Sequence, residues 1–515
     1  MTSTSWIAGY LAEIDYTYGY YRELSPSLLR VACLNAGLTL PAVERLTYLE
    51  LGFGQGLSVN IHAAANEGNF WGTDFNPKQA AQAQSLAHAS GSGATLLNDS
   101  FAELAARSDL PEFDIIALHG IWSWISDENR QTIVDIIRRK LRVGGIVYVS
   151  YNCLPGWAAA MPLRHLITLH AELAGSEAFG IVGKIDGALK FAQQVVDSGA
   201  LYFKANPAVA ERLKQIAGQN RHYLAHEYFN LDWEVMSFSD VARMLQDAKL
   251  TFAASAHLMD HVDAMFVSET ARKLLADIKQ PLLYQSVRDY FINQQFRRDI
   301  FVKGGHRLTS LERSEAFQRQ AFVLVINPDA ISMKITSPLG EVTLQENIYG
   351  PIIEALAEEN LSAKTLTQLA ANQKLRSLTL PQLSQAIYVL MGMGSLDPAQ
   401  QPTNRTKAHC AALNTYLYER ARSSGAVSFL ASPVTGSGIV ASRDHQLFLL
   451  AMQQGKKSPP DQAAFVWNLL STQGQRLTKD GKRLESPEDN LAELTRQATE
   501  FSEKHLLKYK ALGIQ

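Results

Sequence analysis

The stretch LELGFGQG at residues 49–56 constrains the fold of this chain more than any other. An apolar run ends there in an acid, and three glycines follow at alternate positions. A backbone that turns in this way comes close to its neighbours, and only glycine tolerates both the approach and a positive φ. We predict a strand over 45–50, a helix over 57–65 and a second strand over 70–73 that ends in Asp74. A strand, a tight turn, a helix and a parallel strand make a βαβ unit.

The residues around this turn indicate its ligand. An acid at the end of the second strand of a βαβ unit is placed to bind the hydroxyl groups of a ribose. Dinucleotide sites use GxGxxG and direct a helix N-terminus at a pyrophosphate. This chain has GxGxG at Gly52, Gly54 and Gly56, and the carboxylate of Glu50 before it would repel a pyrophosphate. That carboxylate suits the cationic amino-acid end of S-adenosylmethionine, which we predict as the cofactor; a nucleotide or no ligand is the alternative.

Length, charge and cysteine content narrow the class of protein. At 515 residues the chain is too long for one hydrophobic core, so several domains are expected. A net charge of −2 gives no general attraction to nucleic acid or to an anionic membrane, and we predict neither partner. No apolar run approaches the roughly 18 residues of a membrane span. Cys33, Cys153 and Cys410 are too far apart for a disulfide framework or a zinc site, which predicts no metal and a cytoplasmic location.

Strand-like and helix-like segments alternate from residue 45 to residue 152, which predicts a parallel sheet with right-handed crossovers. The predicted strands are 46–50, 70–73, 94–98, 113–119 and 146–151, and the predicted helices between them are 57–65, 77–90, 101–107 and 129–141. Residues 160–232 have a helical pattern and are interpreted as an insertion. A helix over 239–249 and strands over 250–256 and 264–267 are predicted to complete the sheet, with 296–301 as a short strand or a helix end.

The pattern changes after residue 305. Segments 321–326 and 332–336 predict a hairpin, and three short helices are predicted at 346–358, 365–372 and 380–391. This arrangement resembles a winged helix, although few basic residues among the helices argue against DNA recognition. We predict three domains: 1–305, 306–400 and 401–515. The predicted fold class is α/β, with a Rossmann-like core and a helical insertion, then a smaller α+β winged-helix-like middle domain and a mostly helical C-terminal domain.

The glycine turn, Asp74 and the sequence Asn98-Asp99-Ser100-Phe101 together resemble class I S-adenosylmethionine-dependent methyltransferases. Four further segments resemble the members with a methyltransferase regulatory domain: 16–21 (YTYGYY), 119–124 (HGIWSW), 223–228 (YLAHEY) and 289–298 (DYFINQQFRR). The architecture is similar to that of bacterial protein-lysine methyltransferases acting on outer-membrane proteins. The resemblance implies a protein lysine as acceptor. It also implies a helical insertion used in dimerisation, and hence a homodimer.

The predicted cofactor contacts lie at strand ends and in the aromatic N-terminal segment. They are Tyr18, Tyr21, Glu50, Gly52, Gly54, Gly56, Asp74, Phe75, Asp99, Ser100, Phe101, His119 and Gly120. The resemblance implies adenine contacts for the residues after the third strand, among them Asp99. The alternatives are that Asp74 caps the following helix and that Asn98 or Ser100 caps the next one. The tyrosines of 16–21 are interpreted as a lid over the cofactor, with ordinary packing as the alternative.

Residues 119–124 follow the fourth strand, at the sheet edge where parallel sheets bind ligands. A lysine acceptor must lose a proton before it attacks, and an apolar, aromatic-walled channel lowers the pKa of its ammonium group by desolvation. We predict that Trp122, together with Trp124, forms such a wall. His119 is predicted to accept the proton or to form a hydrogen bond with the cofactor. The alternative places both tryptophans in the core.

Two other functions stay open. A small-molecule or glycan O-methyltransferase would use His119 or His226 as its general base. Adjacent residues on a helix point apart, however, so His226 and Glu227 are better explained by a structural role. A regulatory protein could bind the cofactor without turnover. The chain has no Asn-Pro-Pro-Tyr sequence after its fourth strand, which argues against an amide or adenine nitrogen as acceptor. Arg297 and Arg298 are predicted to face solvent.

Overall fold

A seven-stranded sheet forms the centre of the protein, in a computed structural model that describes residues 18–40, 45–175, 180–230 and 232–515. Its strands are β1 (Leu46–Leu51), β2 (Gly68–Thr73), β3 (Thr95–Leu97), β4 (Phe113–Leu118), β5 (Leu141–Asn152), β6 (Thr251–Ser255) and β7 (Phe296–Val302). Across the sheet the order is β3-β2-β1-β4-β5-β7-β6. The first five strands are parallel, as predicted, and β7 runs antiparallel to β5 and β6.

Strand β1 is buried along its whole length because both faces of the sheet are covered. Leu46 and Tyr48 enter one hydrophobic core, whereas Leu49 and Leu51 enter another. Two-sided burial is typical of parallel sheets and explains the apolar run in the sequence. Glu50 lies between β2 and β4, so its carboxyl group is held inside the sheet near the edge where the strands end.

Four helices connect the first five strands, and all four were expected from the sequence pattern. They are Leu57–Ala65, Pro77–Ser90, Phe101–Ala106 and Asp127–Lys140. Local signals set their ends. Helix Pro77–Ser90 begins with proline and ends before Gly91, whose φ is +63°. Ser100 and Ser126 cap two of the others through backbone N–H groups.

The described residues of the insertion, between β5 and helix Phe238–Gln246, form five helices: Met161–Leu173, Gly180–Asp197, Leu201–Ala205, Pro207–Ala217 and Arg221–Tyr228. They enclose a hydrophobic core of their own, in which Leu163 and Leu213 are buried. Other leucines of the same helices stay accessible: Leu169 is 39% exposed, Leu173 74% and Leu201 79%. The helical insertion therefore packs on itself and still presents apolar side chains to its surroundings.

The last part of the sheet differs from the prediction. Asp263–Phe266 is a helical turn, so the strand predicted at 264–267 is wrong. The remaining strand is β7, one of the two alternatives for 296–301, and it lies between β5 and β6. Its residues Arg297 and Asp299 are only 4% and 1% exposed. The charged residues made a buried strand hard to recognise in the sequence, because charged residues are rarely buried unless they are paired.

Two smaller sheets lie between residues 320 and 400. Ala321–Leu324 pairs with Lys364–Thr365 and Leu396–Ala399, and Lys334–Ser337 pairs with Gly340–Thr343. The hairpin predicted between 321–326 and 332–336 is therefore wrong, because each segment pairs with a later strand. The three predicted helices are confirmed as Glu346–Leu361, Leu366–Ala371 and Leu380–Gly392. The winged-helix interpretation and the domain boundaries at 305 and 400 stay predictions.

The remaining helices cover the sheet and build the C-terminal part. They are Pro26–Asn35, Phe238–Gln246, Glu269–Asp277, Pro281–Ile292, Ser310–Arg319, Asn404–Ala421, Arg443–Gln453, Pro459–Thr472, Pro487–Glu500 and Leu506–Ala511. The remaining strand pairs are Leu38–Thr39 with His306–Arg307, Phe429–Ser432 with Ser437–Val440, and Thr478–Lys479 with Lys482–Arg483. Within the described residues, no helix has the length and apolar character needed to cross a lipid bilayer.

The C-terminal part packs against the helix that follows the glycine turn. Leu57 and Ile61 of helix Leu57–Ala65 share an apolar cluster with Leu413 and Leu417 of helix Asn404–Ala421. The other side of helix Leu57–Ala65 packs in the core of the sheet. Helix Leu57–Ala65 is therefore held in place partly by residues more than 350 positions away in the chain.

Candidate active site

The glycine turn lies at the carboxyl end of β1. Its three glycines have positive φ angles, +68° at Gly52, +58° at Gly54 and +71° at Gly56. A Cβ at Gly52 would lie 2.4 Å from Cδ1 of Ile121, and a Cβ at Gly56 would lie 2.3 Å from Cβ of Ala83. A Cβ at Gly54 would meet no atom of the described residues within 4 Å. Packing requires two of the glycines, and the third borders an open space that a ligand can fill.

Asp74 follows β2 and contacts this turn. Its Oδ2 accepts the backbone N–H of Gly54 at 2.9 Å, and its Oδ1 accepts that of Asn76 at 3.0 Å. Burial raises the pKa of Asp74 to about 6, although these backbone hydrogen bonds oppose the shift. Asn76, which accepts the N–H of Lys78, caps helix Pro77–Ser90. The alternative role of Asp74 as the helix cap is therefore wrong.

Glu50 is a buried carboxyl group, 4% exposed, at the end of β1. The hydroxyl of Tyr48 donates to its Oε2 at 3.1 Å, and no cationic side chain of the described residues pairs with it. Burial raises the pKa of Glu50 to about 8 because a medium of low polarity disfavours the charged form. A buried carboxylate without a counter-ion is costly. The cationic end of a ligand would supply that counter-ion.

Asn98 joins the ends of β2 and β3. Its Nδ2 donates to the carbonyl of Asp74 at 3.1 Å and to that of Phe75 at 3.0 Å. The side chains of Phe75 and Phe101 are half-buried. The turn that carries Phe75 is therefore fixed to the end of β3, and Asp74 fixes both to the glycine turn.

Asp99 and Ser100, which follow Asn98, both have partners within the protein. The side chain of Asp99 pairs with Arg107 at 3.0 Å. Ser100 forms a capping box with Glu103 at the start of helix Phe101–Ala106. Ser100 thus has the helix-capping role that was its alternative in the sequence. The carboxylate of Asp99 takes no part in that cap.

His119 comes directly after β4, and aromatic rings surround it. Its ring stacks on Tyr21 with centroids 3.9 Å apart, and Phe296 approaches edge-on at 5.9 Å. Its Nδ1 lies 2.7 Å from the hydroxyl of Tyr148. Burial lowers the pKa of His119 to about 4, while the charge of Glu23 opposes the shift. The imidazole is therefore neutral at physiological pH.

Gly120, after β4, also borders an open space. Its φ is +64°, and its N–H donates to Oγ of Ser150 at 2.8 Å. A Cβ here would meet nothing within 4 Å among the described residues, as at Gly54. The two glycines follow the adjacent strands β1 and β4, at the edge where parallel sheets bind their ligands.

Trp122 does not line this space. It is fully buried in the core with Ile133, and its carbonyl accepts a hydrogen bond from Nε of Arg130 at 2.9 Å. The turn after β4 directs the indole into that core, so the predicted contact of Trp122 with an acceptor is wrong. Trp124 is half-buried, and its ring packs near Trp233 with centroids 6.5 Å apart.

The N-terminal tyrosines point to different parts of the molecule. Tyr21 contacts His119, whereas the ring of Tyr18 lies against the guanidinium of Arg420, which donates to the Tyr18 hydroxyl at 2.9 Å. Tyr18 therefore contacts the C-terminal part, which argues against its predicted contact with the cofactor. Tyr16, another residue of the predicted lid, lies outside the described residues.

The sequence predictions omit an ion pair beside His119. Nε of Arg298 lies 3.4 Å from Oε1 of Glu23, and the two side chains are 28% and 24% exposed. The prediction that Arg297 also faces solvent is wrong, because it is buried and pairs with Asp289 and Asp299. Alternation along β7 would have separated the two arginines if the strand had been recognised.

His226 lies on helix Arg221–Tyr228 and is 3% exposed. Its carbonyl accepts a hydrogen bond from Nδ2 of Asn230 at 2.9 Å. A ring buried to this degree is poorly placed to take a proton from an acceptor. Its burial supports the structural role that the sequence favours.

Comparisons with known proteins decide the family. Residues 49–145 match the model of a methyltransferase domain, and residues 220–303 match that of a predicted methyltransferase regulatory domain. An uncharacterized protein of Synechocystis sp. is 42% identical over 515 residues, which is 99% of this chain and 100% of that protein. This chain belongs to the class I S-adenosylmethionine-dependent methyltransferases with a methyltransferase regulatory domain. The predicted family and cofactor are confirmed.

A solved structure has the same fold, and a further protein matches in sequence. The structure of PKMT2 from Rickettsia typhi in complex with AdoHcy matches this methyltransferase with a TM-score of 0.70 and 16% identity. The match covers 97% of this chain and 100% of the other. An uncharacterized protein of Rickettsia prowazekii is 25% identical over 369 residues, 68% of this chain and 62% of that protein. The Rossmann-like fold with its additional parts is therefore shared across nearly the whole chain.

Gly54→Val tests whether the open space holds the cofactor. The branched side chain would fill that space, so we expect the methyltransferase to lose S-adenosylhomocysteine binding in isothermal titration calorimetry. Gly91→Val is the matched control, because Gly91 has a φ of +63° and an equally open Cβ position at a helix end. The control should bind normally. Equal losses in both variants would assign the effect to backbone strain and remove Gly54 from the site.

Glu50→Gln separates stability from binding. The folded pKa of Glu50, about 8, lies above its ordinary value of 4.5. Its stabilising effect is therefore full at low pH and is lost as the pH rises through 8. Without ligand, the variant should have a higher Tm than the wild type at pH 8, and the difference should narrow toward pH 5. Its affinity for S-adenosylhomocysteine should fall by about tenfold. A lower Tm at pH 8 together with unchanged affinity would contradict the role of Glu50.

Proposed function

We propose that this methyltransferase transfers methyl groups to lysine side chains of proteins. The observation that carries the proposal is the neutral, aromatic surrounding of His119. Tyr21, Tyr148 and Phe296 contact its ring, and burial lowers its pKa to about 4. The resemblance to bacterial protein-lysine methyltransferases and the fold shared with PKMT2 from Rickettsia typhi support it.

The surroundings suit an amine acceptor. An approaching ammonium group loses its hydration among aromatic rings, which lowers its pKa and produces the neutral amine that attacks. Positive charge then develops on the nitrogen, and the faces of Tyr21 and Phe296 attract it. A neutral His119 does not repel the incoming cation. Its hydrogen bond with Tyr148 holds the ring in place.

The cofactor site follows from the same edge of the sheet. Glu50 would bind the ammonium of the amino-acid end, because it is buried without a cationic partner. Asp74 would bind the ribose, and Gly54 and Gly120 leave room for it. Asp99 would accept from the adenine amine. Bound S-adenosylmethionine supplies an electrophilic methyl group on sulfur.

A hydroxyl acceptor fits this site less well. It needs a general base, and a histidine with a pKa of about 4 removes protons poorly at neutral pH. His226, the other candidate base, is buried. A regulatory protein without turnover is the remaining alternative, and the assay that follows distinguishes the three functions.

Transfer of a radiolabelled methyl group to separate pools of protein, glycan and small molecules tests the acceptor. We expect the label in protein, stable to base and recovered as methylated lysine after hydrolysis. Gly54→Val provides the inactive control. Label in glycans or small products would replace the proposed acceptor. Tight cofactor binding with no transfer would favour the regulatory alternative.

The pH dependence of the same assay gives a second measurement. For a lysine acceptor the rate should rise with pH until the pKa of the amine is passed, since only the neutral amine attacks. His119, whose pKa is about 4, should add no inflection above pH 6. His119→Asn should therefore keep the shape of the profile. A profile that levels near neutral pH and changes shape in this variant would show that His119 titrates during turnover, as an O-methyltransferase requires.

Assembly is a further part of the proposal. The exposed leucines of the helical insertion, Leu169, Leu173 and Leu201, would be covered by a second copy of the chain. Sedimentation velocity at micromolar concentration should show a dimer of the 56.9 kDa chain. Leu173→Asp should shift it to monomer, and Leu507→Asp, at a 42% exposed position of the C-terminal part, should not. A wild-type monomer would contradict the dimer.

We propose a cytoplasmic location, and the state of the cysteines supports it. All three are free and buried. Free thiols suit the reducing cytoplasm, where S-adenosylmethionine would meet a protein acceptor before export.

A further inference from the structure

Residues 18–21 have irregular backbone and Arg22–Leu24 form a short 3-10 helix, and the side chains of this segment reach two parts of the molecule. Tyr18, Tyr20 and Arg22 contact residues of the middle and C-terminal parts. Tyr21 and Glu23, between and after them, contact His119 and Arg298 at the active site. We call residues 18–24 the strap. It links the C-terminal half of the chain to His119 and Arg298.

Directed hydrogen bonds fix the strap on its outer side. The guanidinium of Arg22 donates to Oδ1 of Asp397 and to the carbonyls of Met391 and Leu396, each at 2.8 Å. Asp397 is buried, with 3% of its side chain exposed. An arginine held by three acceptors has little freedom to move. The neighbouring residues of the strap are therefore held in position as well.

Tyr20 fixes the strap at a second point. Its hydroxyl lies 3.2 Å from Nε2 of His62, on the helix that follows the glycine turn. Its ring packs on Phe429 with centroids 5.1 Å apart, and Gly438 lies so close that a Cβ there would be 2.9 Å from the ring. The strap is therefore anchored both to helix Leu57–Ala65 and to the C-terminal part.

Glu23 lies beside both Arg298 and His119. Its partner Arg298 also lies over the ring of Phe296 at 5.3 Å, and Phe296 contacts His119. Burial alone would raise the pKa of Glu23, but the charge of Arg298 and a hydrogen bond from the Glu23 backbone lower it overall. The carboxylate is therefore ionised at neutral pH. About a quarter of the Glu23 side chain is accessible.

We propose that Glu23 is a catalytic residue that accepts a hydrogen bond from the nitrogen of the acceptor lysine, and that Arg22 is a positioning residue that holds it there. This inference rests on the proposed function, because it requires an amine acceptor. It assigns a role in turnover to the contact between Arg22 and Asp397, which does not itself touch the acceptor.

The chemistry of transfer gives Glu23 its purpose. The amine nitrogen forms a bond to the methyl carbon while the bond from that carbon to sulfur breaks, and its electron pair stays on sulfur. Positive charge passes from sulfur to nitrogen, and the resulting methylammonium group later releases a proton to solvent. A carboxylate fixed beside the nitrogen stabilises the charge that develops there. Arg298 offsets part of the carboxylate's charge, so that the incoming ammonium still loses its proton.

A purely structural role for Glu23 and Arg22 explains fewer of their contacts than a role in turnover does. Partly exposed ion pairs such as Glu23 with Arg298 contribute little to stability. Arg22, the residue before Glu23, is held by three acceptor atoms of the C-terminal half of the chain. Glu23, the one carboxylate of the strap, lies next to the imidazole that follows β4.

Two bisubstrate probes test the inference without knowledge of the natural acceptor. Both are adenosine derivatives that carry the amino-acid end of S-adenosylmethionine on a 5′ nitrogen. One bears a 2-aminoethyl arm in place of the transferred methyl group, which sets its amine close to the position of the attacking nitrogen, and the other bears an n-propyl arm of equal length. Calorimetry measures both affinities, and that of S-adenosylhomocysteine, for the full-length wild type, Glu23→Gln and Glu419→Gln. Glu419 is the matched control, since it pairs with Arg422 at 3.0 Å on a surface helix.

We expect the wild type and Glu419→Gln to prefer the amino arm by about tenfold or more, as for a hydrogen bond to a charged group. Glu23→Gln should lose this preference and keep its affinity for S-adenosylhomocysteine, which also shows that it folds. A preference that persists in Glu23→Gln would overturn the role of Glu23 and leave the proposed function standing. A wild type that does not prefer the amino arm over the n-propyl arm would overturn both, because the site would then not favour an amine.

Arg22→Lys tests the positioning role. Lysine keeps the positive charge but cannot make the same three directed bonds. The preference for the amino arm should fall to a value between those of the wild type and Glu23→Gln, with S-adenosylhomocysteine affinity unchanged. A full preference in Arg22→Lys would remove Arg22 from the proposal.

Discussion

Parallel pairing of β1 with β2 and β4 is the constraint on which the rest of this methyltransferase depends. The carboxyl ends of parallel strands meet at one edge of the sheet, so three turns converge there and bring Gly54, Asp74 and His119 to the same side. A hydrogen bond between Gly54 and Asp74 fixes two of these turns to each other. Because β1 is central, Glu50 is buried between its neighbours.

Burial at this edge shifts ionisable groups toward their neutral forms. It raises the pKa of Glu50 and Asp74 and lowers that of His119. Shifts of this kind without full compensation are characteristic of functional sites. Arg297 is different, because Asp289 and Asp299 surround it with opposite charge. That cluster holds β7 in the sheet and so positions Phe296 and Arg298 beside His119, a structural role that supports the chemical one.

The sequence predicts the core well and the later parts less well, for a physical reason. Helix caps, glycine turns and apolar strands are local signals, and they gave the first five strands and their helices. Strand β7 was ambiguous because its charges are paired only in the folded protein, with Asp289 from a neighbouring helix. The strands after residue 305 pair with distant partners, so the local pattern suggested the wrong hairpin. The site residues at the ends of β1, β2 and β4 were predicted. Glu23 and Tyr148 were not predicted, because no sequence motif marks them.

The amino-acid sequence by itself determined the cofactor class, because glycines that tolerate a positive φ and an acid at each of two strand ends leave few alternatives. Only the tertiary structure decided the surroundings of His119. Trp122, adjacent in sequence, enters the core, whereas Tyr21, Tyr148 and Phe296 arrive from the strap, β5 and β7. Which rings meet depends on strand order and on the path of the strap, and these are set by burial and pairing across the whole chain rather than by any local run of residues.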